Sequence, residues 1–421
     1  MTDLDLDFVR AQFPAFSEPT LEGFAHFENA GGSFVCRQTI EWLDRYYRQT
    51  KVQPYYDFAP SREAGEQMDA AKERMAAWLN VGKDELHFGP SSSQNTYVIG
   101  QALRRYLSPG DEVIVTNQDH EANSGALSRL QEDGFVVREW KVDPDSAELN
   151  PRDLESLLSS RTRVVAFTHC SNVVGSINPV RELTDMVHRA GAWAFVDGVA
   201  FSPHGLPDVE ALGADLYFFS MYKVYGPHLG AMVLRRDLNA ALPNQGHFFN
   251  AGKPGSRFTP AGPDHAQIAS INGVMDYMDA VADRHGFGGQ PVQARAAAVR
   301  SLFRDHETDL LQPLLDYLSK HPKVRMIGRV RAPERAPTVA FTVDGHRSAE
   351  LASRLGKLKF GVGVGNFYAY RLLKTLSIDT DDGALRASFV HYTSREEVER
   401  LIKALDTLLQ RRTSCNTSST C

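Results

Sequence analysis

From about residue 20 to residue 240, short apolar runs rich in β-branched and aromatic residues alternate with amphipathic segments. That alternation restricts the chain to a mainly parallel sheet covered by helices, an α/β fold. The predicted strands are ELHFG (85–89), EVIVT (112–116), RVVAFTH (163–169), WAFVD (193–197), DLYFFS (215–220) and AMVLR (231–235). Between them Ala64, Met68, Ala71, Met75, Trp78 and Leu79 recur at helical spacing, as do Leu183, Met186, Val187 and Ala190. After a Gly/Pro/Phe-rich stretch at 244–265, AQIASINGVMDYMDAV reads as a long helix, and the pattern changes to long helices with few strands. TVAFTVDG (338–345) and LRASFVHY (385–392) read as strands, and Ser394 with Glu397 forms a capping box that opens a last helix.

With 421 residues the chain exceeds the size of a single growing core, so a large and a smaller domain are expected. The expected division is an N-terminal helix (1–20) packing with the small domain, a large domain (21–265), a connecting helix (266–288), a small C-terminal domain (289–410) and an unstructured tail (411–421) carrying Cys415 and Cys421. A net charge of −6 gives no electrostatic reason to expect nucleic acid or an anionic membrane as partner, and a small-molecule substrate is the default. The acidic start MTDLDLDFVRAQF lacks the basic and apolar regions of a leader, no apolar run is long enough to span a bilayer, and a cytoplasmic protein is expected. The four cysteines form no CxxC or CxxH spacing, so no metal site is expected.

In open α/β sheets ligands bind beyond the carboxyl ends of the strands, and the polar residues there are PSSSQNT, NQDHEAN, HCSN, Asp197 and MYKVYGPH. Ser91, Ser92 and Ser93 open a helix whose hydroxyls and free N–H groups suit a phosphate, although a plain N-cap would look the same. Asp197 ends an apolar strand, where a carboxylate needs a cation or a turn to cap. A protonated pyridine nitrogen is one such cation. Lys223 lies between Tyr222 and Tyr225, and partial desolvation there would make it nucleophilic, whereas most lysines are solvated surface charges. His120 could stack on a cofactor ring and Asn172 could donate to it, but either alone is equally a loop residue. The combination points to pyridoxal 5'-phosphate (PLP).

From VRAQFPAF and HFENAGGS to ALRASFVHYTSREEVERL, the chain resembles the class V aminotransferases, and within them the cysteine desulfurase-like proteins. The resemblance implies a fold type I homodimer with a seven-stranded-type sheet and PLP near the subunit interface. It implies that Asp197 of VDG binds the pyridine nitrogen, that Lys223 of YKVYGP forms the Schiff base, and that His120 of DHEAN stacks on the ring. It places Asn172 of SNVVG near ring and substrate, and makes Ser92, Ser93 and Ser220 the phosphate cup. Arg386 of RAS would grip the substrate carboxylate. Asn29 and Gly31 of HFENAGGS and the aromatics Phe367 and Tyr368 complete the expected substrate side.

Four departures bear on activity. The stretch FGVGVGNFYAYRLL (360–373), where cysteine desulfurases carry a mobile loop with a sulfur-accepting cysteine, holds no cysteine. Tyr222 stands for the usual histidine before the lysine, Ala200 for a glutamine, and Gly262 for the partner subunit's phosphate-binding threonine. The expected activity is PLP-dependent chemistry on an L-amino acid, lyase-type or forming and breaking C–C or C–S bonds at Cβ, with or without a second carbonyl substrate. An epimerase or racemase, a true desulfurase and a non-catalytic PLP-binding scaffold are the alternatives.

Overall fold

The structure is a computed structural model that describes residues 3–410; the cysteines of the predicted tail lie outside the described residues. After β1 (Ala25–Phe27), seven strands build one large sheet: β2 (Leu86–Gly89), β3 (Glu112–Thr116), β4 (Val136–Trp140), β5 (Thr162–Thr168), β6 (Trp193–Asp197), β7 (Leu216–Ser220) and β8 (Gly230–Leu234). Its order is β2-β8-β7-β6-β5-β3-β4, and only β8 runs against the rest. Four later strands, β9 (Val324–Met326), β10 (Thr338–Val343), β11 (Phe360–Gly365) and β12 (Ala384–Ser388), join β1 in a second sheet of order β1-β11-β12-β10-β9.

The large sheet is apolar on both faces because helices cover both. Along β5, Val165 and Phe167 enter one core while Val164 and Ala166 enter the other; along β7, Tyr217 and Phe219 oppose Leu216 and Phe218. This explains why the predicted strands of this sheet read as continuous apolar runs and lie within a residue or two of the observed ones; in the second sheet, the strand expected over 385–392 ends at Ser388. β4, at one edge of the sheet, escaped prediction because the half-buried Arg138 and Glu139 interrupt its apolar run.

Two of the expected boundaries are corrected. β1, assigned to the large domain, pairs in parallel with β11 and so belongs to the second sheet. The small domain does not begin cleanly at residue 289: in the helix Val292–Lys320, Val299 and Phe303 pack in the large core, while Leu311, Leu314 and Leu318 pack in the small one. The N-terminal helix Leu6–Arg10 also bridges the two bodies. Val9 and nearby Phe13 are buried in the large core, and Arg10 pairs with Glu397 of the last helix at 2.9 Å. The capping box forms as predicted, with Glu397 N–H donating to Ser394 Oγ at 3.2 Å and Ser394 N–H to Glu397 Oε2 at 2.8 Å.

FGVGVG, expected to be loop, is β11. Its glycines let it run between β1 and β12, since a Cβ on Gly361 would meet the Phe24 ring at 2.6 Å and one on Gly363 the Glu28 carboxylate at 2.5 Å.

Candidate functional site

At the carboxyl ends of β2, β3, β5, β6 and β7 lies a cavity of about 510 Å³. The helix Ser92–Tyr106 aims its N-terminus at it: Ser91 caps the helix through Gln94 N–H, which leaves Ser92 and Ser93 on the cavity wall. Ser92 Oγ and Ser220 Oγ are 2.8 Å apart, so strand end and helix start are tied together. This close approach requires Gly230, whose Cβ would fall 2.3 Å from Ser91 C and 2.6 Å from Ser92 N. Free N–H groups, hydroxyls and the helix dipole together make an anion site.

Asp197 lies deep in the same wall, with Oδ1 accepting from Val199 N–H at 2.8 Å. Burial pushes its pKa up to about 6, against the pull of Val199 N–H and the Lys223 charge. A cation delivered to this carboxylate would be met by a group with little else to satisfy it. Lys223 follows β7 in a 3₁₀ turn and is only 6% exposed. Burial, then the Arg386 charge, lowers its pKa to about 8, so a good fraction of the amine is neutral near physiological pH. The turn is fixed from behind. Ser33 Oγ donates to Lys223 C=O at 2.9 Å, and buried Tyr225, at φ 61°, donates its hydroxyl proton to Pro203 C=O. That leaves His391 Nδ1–H to donate to Tyr225 at 3.0 Å, while His391 Nε2 accepts from Tyr277.

His120 caps the helix Glu121–Ser128, Nδ1 accepting from Ala122 N–H at 3.0 Å, so its proton resides on Nε2. Burial and the charges of Lys223 and Arg386 bring its pKa down to about 4, and the ring is neutral. Behind it Asp119 is fully buried with Oδ1 unpaired, and burial and Asp197 hold its pKa well above the ordinary value.

Asn172 and Tyr222 also line the cavity, and Tyr222 stacks on His228 at 4.8 Å. Ala200 lines it too, where a longer side chain would take up space. Of the expected substrate residues Asn172 and Tyr368 do so, the latter tilted against His120 at 5.1 Å. Arg386 is 2% exposed and screened from the cavity: the Phe367 ring covers its guanidinium at 3.9 Å, and Glu28 Oε1 takes Nη2 at 2.6 Å. Asn29 is spent on Ser388 C=O, His26 C=O and Tyr392, and Gly31 makes room for Glu28. Gly262 is in an exposed loop before the helix His265–Arg284 and does not line the cavity of its own chain. Asp119, His228 and Glu28 went unnoticed in the sequence. Glu28 stood within the quoted HFENAGGS, and the paired glycines after it were the available signal.

A larger hollow of about 650 Å³ carries no comparable chemistry, because its Arg235 is taken up by Glu85 and Glu210. Among the described residues no cluster of His, Cys, Asp and Glu could hold a metal ion, and no helix is long and apolar enough to cross a membrane.

The family model for class-V aminotransferases matches residues 25–258 and 298–401. The chain is 34% identical to the aminotransferase-like protein FGM3 of Gibberella zeae, over 97% of this chain and 99% of that protein. It is 32% identical to the cysteine desulfurase-like protein ustD of Aspergillus flavus, over 97% and 92%. The apo cysteine desulfurase of Thermococcus onnurineus superposes with a TM-score of 0.84 at 21% identity, over 97% of this chain and 99% of that one, which establishes the shared fold. With this match over most of its length, and with a buried lysine, a buried aspartate and an anion-binding helix start facing one cavity, the chain belongs to the class-V aminotransferase family and is a PLP-dependent enzyme of fold type I.

Proposed function

We propose that the protein acts on an L-amino acid and makes or breaks a C–C or C–S bond at Cβ. The observation that carries this reading is Lys223, a buried amine with its pKa lowered to about 8, on the same cavity as Asp197. In it Lys223 attaches the cofactor, and Ser92, Ser93, Ser220 and Tyr222 hold its phosphate. Asp197 would hold a proton on the pyridine nitrogen, and the neutral His120 ring and Asn172 would help hold the cofactor ring. Bound PLP supplies an electron sink that weakens the bonds at a substrate's Cα. The Lys223 amine would serve to move the proton at a substrate's Cα, its lowered pKa suiting either direction. Arg386 anchors the substrate carboxylate.

Two cysteines lie within the described residues, and both favour release of the fragment at Cβ, or its transfer to a second substrate such as a carbonyl compound, over capture on the enzyme. Cys170 lines the cavity, but burial pushes its thiol up to about 12; Cys36 is pushed to about 11. Neither offers the thiolate that sulfur capture requires. A second copy of the chain would bring Gly262 to the phosphate side. The exposed Phe248, Phe249 and Tyr55 near that loop are the kind of apolar surface a subunit contact covers.

The test is a panel of amino acids, with and without aldehydes or ketones, followed by absorbance and mass spectrometry of the products. A new bond at Cβ or an eliminated fragment is the expected result. Cysteine converted to alanine would restore a desulfurase, and deuterium exchange at Cα without net change would show racemisation. A chromophore unmoved by every amino acid would sink the enzymatic reading in favour of a scaffold.

A further inference from the structure

Around Arg386 three buried polar atoms have no partner: Arg386 Nε, Asn172 Oδ1 and Glu28 Oε2. Native interiors leave few such groups unpaired, and three at one guanidinium mark a place where another molecule's polar atoms belong. The guanidinium itself is almost fully committed. Nη1 donates to Asn172 C=O at 2.9 Å, Nη2 donates to Glu28 Oε1 at 2.6 Å, and the Phe367 ring covers one face. A carboxylate binding in two parallel hydrogen bonds along the open edge needs Nε together with Nη2, and Glu28 already holds Nη2.

Glu28 follows β1, at a bridge to Ser388 of β12, and its carboxylate lies beside two glycines whose missing side chains leave room for it. A Cβ at Gly31 would lie 2.6 Å from Oε1, and a Cβ at Gly363 would lie 2.5 Å from Oε2. The NAGG turn and the GVGVG strand thus jointly make a slot for this carboxylate against the arginine.

We propose that Glu28 is a specificity-determining residue, a resident carboxylate that occupies Arg386 until a substrate's own carboxylate displaces it. This rests on Arg386 being the carboxylate anchor. A weak carboxylate ligand then loses the competition, and the site is held for ligands that gain enough elsewhere in the cavity, through an amine at Lys223 or contacts with Tyr368, to move Glu28 aside. The displaced Glu28 swings toward solvent, which its 30% exposed side chain already touches.

Propionate, with a carboxylate and no amine, is the probe. It is titrated into the full-chain holoprotein, wild type, Glu28→Gln and Glu28→Ala, at fixed ionic strength, with binding read by calorimetry. Replacing a charged acceptor by a neutral one, or by none, should tighten propionate binding by about tenfold, the size expected for a charge-assisted hydrogen bond exchanged for a weaker one. The gain should vanish in the Glu28→Gln, Arg386→Gln double variant. Equal or weaker binding by both single variants, a gain that survives loss of Arg386, or no propionate binding to any protein would each overturn the proposal. Because propionate cannot enter amine chemistry, a panel of unreactive amino acids alongside a tenfold gain would remove the proposed reaction and leave this inference standing.

Discussion

Ser92, Asp197, Ser220 and Lys223 sit where a strand of the large sheet ends or a helix begins, and their backbones take ordinary dihedral angles. Across the cavity Phe367 and Tyr368 occupy consecutive left-handed positions, at φ 53° and 57°, without being glycine. The first wall is positioned by sheet register and helix capping, which no ligand can replace. The second is held by a few polar contacts a ligand could exchange: Asn172 Nδ2 donates to Phe367 C=O at 3.0 Å, Glu121 N–H donates to Tyr368 C=O at 2.7 Å, and Arg386 is shared with Glu28. The contrast assigns the preorganised chemistry to the large sheet and the adjustable recognition to the small one.

The widest gap between the walls should show in Lys223→Ala, which removes the group proposed to move the Cα proton. Solvent exchange at Cα of a bound amino acid should fall by on the order of 10³-fold. The lysine can also be followed without any reaction. Its ordinary pKa of 10.5 is lowered to about 8, chiefly by burial, so the neutral amine grows as pH rises through about 8. In the cofactor-free protein, trapping of Lys223 by a small aldehyde and a hydride donor should reach half its maximum near pH 8, read by peptide mass spectrometry. A midpoint near 10.5 would mean that the first wall is not desolvated as described.

A pair of glycines separates the walls at the next level. Alanine at Gly230 would press its Cβ onto the backbone of Ser91 and Ser92, which cannot move without shifting the helix start. The expected loss is about 1–3 kcal/mol of stability, with weaker cofactor binding. Alanine at Gly363 meets the Glu28 side chain, which can swing away; it should cost less than about 1 kcal/mol and alter carboxylate binding instead. Urea unfolding of both variants decides it, and equal losses would erase the distinction.

The same contrast governs how much of the molecule was legible in its sequence. The large-sheet wall was, because strand ends are fixed by runs of apolar residues and the polar residues immediately after them have few places to go. Asp197, Lys223, His120 and the serines all reach one cavity. The other wall was not. FGVGVG has too few side chains to announce a strand; of its two partners, β1 at residues 25–27 is hundreds of residues away, and β12 at 384–388 follows only after an intervening helix. Phe367 and Tyr368 were identified as aromatics, but their left-handed backbone leaves no local sign, since neither residue type favours it. Arg386 was found, yet its partner Glu28 lies 358 positions away, and pairing at that separation is invisible to spacing and periodicity alike.

The smallest effect, and the most informative about the adjustable wall, is expected from Tyr368→Gly. A tyrosine at φ 57° pays a penalty of roughly 1–2 kcal/mol that glycine does not, while glycine loses roughly 0.5–1 kcal/mol through the freedom it adds to the unfolded chain. The ring is 72% exposed and buries little. The turn's own hydrogen bonds use backbone atoms that glycine keeps: Tyr368 N–H donates to Asn366 Oδ1 at 3.1 Å, and its C=O accepts from Glu121 N–H. The terms nearly cancel, so the melting temperature should stay level or rise slightly, while loss of the ring beside His120 widens the cavity. Exchange at Cα should be unchanged, whereas KM for a bulky second substrate should shift. A loss of more than about 2 kcal/mol would show instead that the turn is as structural as the strand ends opposite, and that recognition is not confined to the small-sheet side.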